Sequence, residues 1–155
     1  MIKLQNVSKS FKGNIAIKNL NLEVKKGEIL GLLGANGAGK STTINMLLDF
    51  LNPDSGSVSI NDLDTSNNSQ ETRKLIGYIP ENVNLYPYLS GLENLDYFCM
   101  LAGLKYSKSE LENYLITCGL ASEAHVKKVS GYSKGMRQKV GIAIAYAKKA
   151  KVYLL

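Results

Sequence analysis

The sequence contains few of the residues that cross-link a chain, bind a metal or interrupt regular structure. Its 155 residues include no tryptophan, three prolines, two cysteines and one histidine. Two cysteines without Cys-x-x-Cys spacing form neither a disulfide framework nor a zinc site. The single His125 leaves no histidine-rich metal site and disfavours a serine triad. We expect Cys99 and Cys118, which lie among apolar residues, to be small buried side chains.

Long apolar runs and a signal sequence are also missing. No stretch approaches the roughly 18 consecutive apolar residues of a membrane span, and the N-terminus has no apolar core of signal-peptide length. The composition, 45% hydrophobic and 21% charged, excludes a disordered or collagen-like chain. The length corresponds to one domain of about 100–200 residues. We therefore expect a cytosolic protein without direct membrane insertion.

Acidic residues are absent from residues 127–155. That stretch contains eight of the 19 basic residues, and the other 11 are outnumbered by the 13 acidic residues of 1–126. The net charge of +6 therefore comes entirely from the C-terminal stretch. A basic excess of this kind raises nucleic acid or an anionic membrane as possible partners.

The apolar patterns predict alternating strands and helices. Strands are predicted at 2–7, 15–24, 29–33, 57–60, 74–79 and 152–155, and helices at 40–51, 92–102, 107–118 and 133–147. The run at 29–33 does not alternate, which is typical of a strand covered on both faces in a parallel sheet. Capping boxes open two of the helices, Ser90 with Glu93 and Ser107 with Glu110.

The segment GANGAGKS matches the phosphate-loop pattern G-x-x-x-x-G-K-S/T between a predicted strand and a predicted helix. Its glycines let backbone N–H groups converge on phosphate oxygens, and the helix N-terminus adds its dipole. We expect Lys40 at the β- and γ-phosphates, Ser41 at Mg²⁺ and Thr42 at the α- or β-phosphate. A glycine-rich turn is the alternative, but the flanking elements favour a nucleoside-triphosphate site. Its candidate residues are Gly34, Ala35, Asn36, Gly37, Ala38, Gly39, Lys40, Ser41 and Thr42.

The extended loop GANGAGKST and several later segments resemble the ATP-binding subunit of ABC transporters over essentially the whole chain. The resemblance implies an α/β P-loop NTPase fold of ABC type, with a mixed sheet, an N-terminal antiparallel β-subdomain and an inserted helical subdomain. The implied parts are a β-subdomain and P-loop core at 1–84, a helical subdomain at 85–130, and the signature helix with the start of the Walker B strand at 131–155. ATP and Mg²⁺ are the implied cofactors. Phe11 corresponds to the family's adenine-stacking aromatic, the alternative being a half-buried strand residue.

Two motifs depart from the family's pattern. In IGYIPE, Glu81 replaces the Q-loop glutamine, and the resemblance implies that it binds Mg²⁺ or orients water, the alternative being a solvated loop acid. In YSKGM, which resembles LSGGQ, Ser133 and Gly135 match and Lys134 does not. The resemblance implies that all three contact ATP held by the opposite subunit of a head-to-tail pair, although an N-capped helix would also explain Ser133. Lys40 and Glu81 are the candidate catalytic residues.

The function implied by the resemblance is ATP hydrolysis coupled to transport through a transmembrane permease, at the inner face of the cell membrane. The two departures resemble an exporter-like branch that handles drugs, antibiotics or ions, with no nucleic-acid partner. One alternative is a non-transport ABC ATPase acting on ribosomes or DNA, which the basic stretch favours. Another is a non-catalytic nucleotide-binding remnant.

The family's Walker B aspartate and catalytic glutamate would follow the apolar run at 151–155, and we expect a C-terminally truncated domain without them. Hydrolysis needs a positioned water and a firmly held Mg²⁺. We therefore predict that these 155 residues bind ATP weakly and release phosphate no faster than Lys40→Ala does. Phosphate release that depends on Lys40 would contradict this prediction.

Overall fold

The computed structural model describes all 155 residues, which form two compact units, Met1–Ile76 and Gly77–Leu155. The first unit contains an antiparallel sheet of four strands in the order β2-β1-β3-β4. Its elements are β1 (Ile2–Phe11), β2 (Asn14–Val24), helix α1 (Lys40–Leu47), β3 (Ser55–Ile60), β4 (Leu63–Asp64) and helix α2 (Ser69–Leu75). The antiparallel β-subdomain expected from the sequence is confirmed.

Strand β1 is the centre of this sheet because both of its edges are paired. Leu4 lies opposite Leu22 of β2 and Val58 of β3. Leu4, Val7 and Val58 are almost completely buried, as the alternation of apolar and polar residues predicts for a sheet with one covered face. The sheet gives the unit a core that does not depend on disulfides.

The second unit consists mainly of helices packed around one apolar core. Its elements are β5 (Ile76–Tyr78), which starts at the last residue of the first unit, then α3 (Gly91–Leu101), α4 (Lys108–Thr117), α5 (Lys134–Ala147) and β6 (Val152–Leu154), which pairs with β5. Leu95, Leu115, Val140 and Ala143 lie at its centre with no exposed surface. Cys99 is buried there, as predicted, and burial raises the pKa of its thiol to about 11.

The capping boxes of this unit form as predicted. Ser90 accepts a hydrogen bond from the Glu93 backbone N–H, and the Glu93 carboxylate accepts one from the Ser90 N–H. Ser107 and Glu110 make the same pair of bonds at the start of α4. The hydrogen bond from the Ser90 backbone lowers the pKa of Glu93, so this carboxylate stays ionised at neutral pH.

The fully buried Asn94 joins the segment before α3 to the helix itself. Its Oδ1 accepts from the Tyr86 backbone N–H at 2.8 Å. Its Nδ2 donates to the carbonyl oxygens of Tyr86 at 3.1 Å and of Ser90 at 2.9 Å. The Tyr86 N–H thus finds its acceptor in this amide, whereas the two carbonyl oxygens also accept from the backbone N–H groups of Leu89 and Asn94.

Two predicted strands are wrong. Residues 29–33 form no strand, and the side chains of Ile29 and Leu33 are 97% and 95% exposed. Apolar composition does not by itself make a strand, because a strand requires a hydrogen-bonded neighbour, and none of the six strands pairs with this run. The strand predicted at 74–79 begins only at Ile76, since α2 continues to Leu75. Helix α1 ends at Leu47, four residues earlier than the apolar spacing suggested.

The helices of the structure are all too short, or too polar, to cross a membrane. The longest of them, α5, has 14 residues.

We predict that Asn94→Ala lowers the free energy of unfolding by about 2–3 kcal/mol, because it removes the hydrogen bonds of a buried side chain, including the acceptor of the Tyr86 backbone N–H. Asn113→Ala, which truncates an exposed asparagine on α4, is the matched control and should change it by less than about 0.5 kcal/mol. Urea denaturation of both variants measures the difference. Equal destabilisation by the two substitutions would contradict this account of the Asn94 contacts.

Candidate functional site

The phosphate-loop segment lies in the first unit and leads directly into α1. Gly37 and Gly39 have φ values of 85° and 87°, a region that side chains other than glycine rarely adopt. A Cβ on Gly39 would lie 2.8 Å from the Ala16 carbonyl oxygen and 3.0 Å from Ile17 Cγ1 of β2. The loop is thus held against the antiparallel sheet at a point where only glycine fits.

The Lys40 side chain folds back over this loop. Its Nζ donates to the carbonyl oxygens of Gly34 at 2.6 Å and Ala35 at 2.7 Å. Both acceptors are backbone carbonyl oxygens and neither is a carboxylate, so an anion in the loop would not compete with an ion pair. The flexible stem of a lysine lets it exchange these acceptors for phosphate oxygens.

The N-terminus of α1 has the features of an anion site. No side chain caps it, and its first turn contains no acidic residue. By contrast, a serine caps each of α3, α4 and α5. The first N–H groups of α1 therefore remain open toward the loop, with the positive end of the helix dipole behind them. These features fit a triphosphate.

The hydroxyl groups that follow Lys40 differ in their surroundings. Ser41 is exposed, Thr42 is half-buried, and the buried Thr43 donates its hydroxyl to the Gly39 carbonyl oxygen at 3.0 Å. Only Ser41 thus has both the exposure and the oxygen that Mg²⁺ prefers. No cluster of three or more acidic, histidine or cysteine side chains exists, so a metal ion at Ser41 would need phosphate oxygens as further ligands.

Phe11 ends β1 in the first unit, and 45% of its side chain is exposed. Lys9 Nζ lies 5.8 Å from the centre of its ring and 2.6 Å from Asp54 Oδ1. That hydrogen bond is the main cause of the lowered pKa of Asp54, and the Ser10 backbone N–H adds a second. Phe11 therefore presents a partly exposed aromatic surface, which can stack on a base.

Glu81 lies in the second unit, directly after Pro80. Its side chain is 87% exposed, and Oε1 lies 3.8 Å from the Lys134 ammonium. The Gln138 side chain donates to the Glu81 backbone carbonyl at 3.0 Å. The structure thus places Glu81 beside the first two turns of α5, a neighbour that the sequence did not indicate.

The signature-like segment begins α5. Ser133 is its N-cap and accepts from the Met136 backbone N–H at 3.2 Å. Ser133, Lys134 and Gly135 are exposed, and the nearest atom to a Cβ on Gly135 would be Ser133 Oγ at 3.9 Å. The N-cap explanation of Ser133 is therefore correct as local structure, while its hydroxyl hydrogen remains available to a ligand.

The remaining departures in this segment have a structural explanation. The Tyr132 ring is buried, and its hydroxyl donates to the Ala124 carbonyl oxygen beside Gly91. Met136 packs against the same helical core. Arg137 donates to the Tyr132 carbonyl oxygen. Tyr132 and Met136 thus stabilise the helical unit and leave Ser133–Gly135 as the exposed part of the motif.

The structure therefore groups the predicted site residues in two sets. Phe11 and the phosphate loop belong to the first unit, and Glu81 with the signature-like segment belongs to the second. Lys9, Asp54 and Gln138 are neighbours that sequence reasoning missed, because each contact joins residues more than 40 positions apart. The buried His125 contacts the Leu120 carbonyl oxygen and has no place in either set.

Comparisons with known proteins agree on one family. The model of the family described as "ABC transporter" matches residues 17–155. An uncharacterized ABC transporter ATP-binding protein of Bacillus subtilis, YdbJ, is 36% identical over 155 residues, which cover all of this chain and 50% of that protein. The bacitracin transport ATP-binding protein BcrA of Enterococcus faecalis is also 36% identical, with the same coverage.

A solved structure agrees as well. The ATP-binding cassette MJ0796, dimeric in a post-hydrolysis state with ADP and Pi, superposes with a TM-score of 0.86 at 29% identity. The match covers 99% of this chain and 72% of that one. The chain spans about half the length of the curated relatives that it matches.

We predict that Gly39→Ala weakens binding of a nucleoside triphosphate by about tenfold or more, a free-energy change of about 1.4 kcal/mol. The added Cβ would meet the Ala16 carbonyl oxygen, and an alanine at position 39 would have to adopt a strained φ. Gly31→Ala is the matched control, since no atom lies within 4 Å of the added Cβ and its φ is not positive. Equilibrium binding of a fluorescent ATP analogue measures both. Equal affinity of the two variants would contradict the role of Gly39.

Proposed function

This chain belongs to the ABC transporter family of ATP-binding proteins, and we propose that it is the ATP-binding part of a transporter that couples ATP binding and hydrolysis to substrate export. The observation that carries this proposal is the open N-terminus of α1, with Lys40 folded over a glycine loop beside it. Helix α2 also lacks a side-chain cap, but its first turn contains the acidic residue Glu71.

We propose that residues 34–42 hold the triphosphate of ATP. Backbone N–H groups at the start of α1 and the Lys40 ammonium bind its oxygens. Mg²⁺, when bound with the nucleotide, neutralises the charge that develops on the phosphates. Ser41 supplies a hydroxyl ligand to that ion. Glu81 supplies either its own carboxylate or a water molecule that it orients. Hydroxyl, carboxylate and water oxygens are the ligands that Mg²⁺ prefers.

We propose that the exposed part of Phe11 stacks on the adenine. A partly exposed ring at the end of a strand offers a large apolar surface, and stacking of a base on an aromatic side chain contributes about 1–3 kcal/mol. Asp54, which precedes β3, accepts hydrogen bonds from the Lys9 ammonium and the Ser10 backbone N–H. The Lys9 ammonium also lies near the Phe11 ring, so these contacts restrict the ring and the backbone before it.

We propose that Ser133, Lys134 and Gly135 contact the γ-phosphate of ATP held by a second ATP-binding domain in a head-to-tail pair. The exposed N-terminus of α5, the Ser133 hydroxyl and the Lys134 ammonium are suited to an anion. The dimer of the similar cassette with ADP and Pi supports this arrangement.

The partner proposed for the whole protein is a transmembrane permease, with the ATP-binding domain on the inner face of the cell membrane and residues 85–130 as the helical subdomain that docks on it. A drug, an antibiotic or an ion is the proposed substrate class. Support comes from Glu81 and YSKGM, the two departures from the family's motifs, and from the similarity to a bacitracin transport protein. The competing function, a non-transport ABC ATPase on ribosomes or DNA, has the basic residues of 127–155 in its favour.

Co-purification distinguishes these functions. The full protein, tagged and purified from detergent-solubilised membranes, should carry a multispanning permease identified by mass spectrometry. Ribosomal proteins or nucleic acid in place of a permease would contradict the transport function.

For the nucleotide site, we predict that Lys40→Ala weakens ATP binding by about 100-fold or more, because the variant loses a charged contact to the phosphates. Lys18→Ala, which removes an exposed lysine of β2, is the charge-matched control and should bind ATP as the unmodified protein does. Isothermal titration calorimetry measures both affinities. Tight ATP binding by Lys40→Ala would show that the phosphate loop is not the site.

A further inference from the structure

The segment from Glu81 to Val83 is attached to α5 at three points. The Glu81 carboxylate faces the Lys134 ammonium at 3.8 Å, and the Glu81 carbonyl oxygen accepts from Gln138 Nε2 at 3.0 Å. Val83 packs against Gly141. Positions 134, 138 and 141 are spaced by four and three residues, so they form one stripe along the helix. We call these three residues the α5 stripe.

The third attachment requires a glycine. A Cβ on Gly141 would lie 2.8 Å from Val83 Cγ2, which is closer than side-chain atoms pack, and 3.1 Å from Cγ1. Gly141 is buried in the middle of α5, where a glycine destabilises the helix relative to alanine. What this glycine provides is therefore the close approach of Val83, not helix stability.

The contact between Glu81 and Lys134 also contributes little to stability. The Lys134 and Glu81 side chains are 61% and 87% exposed, and ion pairs of such exposure contribute little. Yet Lys134 and Glu81 are the two charged departures from the family's motifs, and the fold places them in contact. The cation lies where it can offset the charge that Glu81 adds.

We propose that the α5 stripe positions Glu81, with Lys134 orienting its carboxylate and with Gln138 and Gly141 fixing its backbone. This inference rests on the proposed function, in which the Glu81 carboxylate serves Mg²⁺. The stripe starts at the signature-like N-terminus of α5, so the helix that carries Ser133–Gly135 also contacts the Glu81 segment. Gln138 and Gly141 are thus positioning residues that need not touch the nucleotide themselves, whereas Lys134 both orients Glu81 and belongs to the segment proposed to contact ATP of the second domain.

A compensating pair of substitutions tests the contact between Val83 and Gly141. Gly141→Ala should push the 81–83 segment off the helix and raise the half-saturating Mg²⁺ concentration for ATP binding by about threefold or more. Val83→Ala should loosen the segment and raise it by a smaller factor. In the double variant the methyl group added at position 141 occupies space vacated by the valine, so the value should return toward that of the unmodified protein. Ile142→Ala, at the next and partly exposed position of α5, is the control and should leave it unchanged.

A second readout does not depend on nucleotide. The backbone amide resonances of Asn82 and Val83 should shift in Gly141→Ala without ATP, and the Asn82 resonance should return in the double variant. Gln138→Ala should also shift the Asn82 amide resonance, because the variant loses the hydrogen bond to the Glu81 carbonyl oxygen.

Three outcomes overturn the inference. The first is an unchanged Mg²⁺ requirement in Gly141→Ala while Lys40→Ala still weakens ATP binding as predicted. The second is a double variant at least as impaired as Gly141→Ala, and the third is the same impairment in Ile142→Ala. If Lys40→Ala binds ATP normally, the proposed function fails, whereas the amide shifts still report on the stripe.

Discussion

The close approach of the phosphate loop to strand β2 is the constraint on which the proposed site depends. Gly39 has a left-handed backbone and no room for a Cβ against Ala16 and Ile17. That contact fixes the start of α1, whose uncapped N–H groups and neighbouring Lys40 then provide the positive potential for a triphosphate. The antiparallel sheet is therefore more than a scaffold, since it sets the backbone conformation that makes the loop an anion site.

In the second unit, the helix N-termini are closed by side chains, whereas that of α1 is open. Serine caps close the N-termini of α3 and α4, and each serine is reinforced by a glutamate. Helix α5 is intermediate, since Ser133 caps it but no acidic residue lies in its first turn. Its N-terminus keeps a positive character that Lys134 increases. The first turns of α2, α3 and α4 each contain a glutamate, whereas those of α1 and α5, the two helices proposed to meet phosphate, contain no acidic residue.

Sequence patterns predicted correctly the features that depend on interactions between neighbouring residues. The capping boxes at Ser90 and Ser107 and the alternating strands of the antiparallel sheet are confirmed, because their signals lie within a few adjacent residues. The strand at 29–33 failed because strand formation depends on a partner that composition does not reveal. The contact of Glu81 with Lys134 and Gln138 was invisible for the same reason, since it joins residues more than 50 positions apart.

Every proposed role in the site depends on ATP binding at the phosphate loop of the first unit. The most direct measurement follows the backbone amide resonances of the protein as a non-hydrolysable ATP analogue and Mg²⁺ are added. We expect the largest shifts at residues 34–42, with a change in the ring resonances of Phe11. Shifts confined to residues 77–155, with the loop unchanged at saturating analogue, would contradict it.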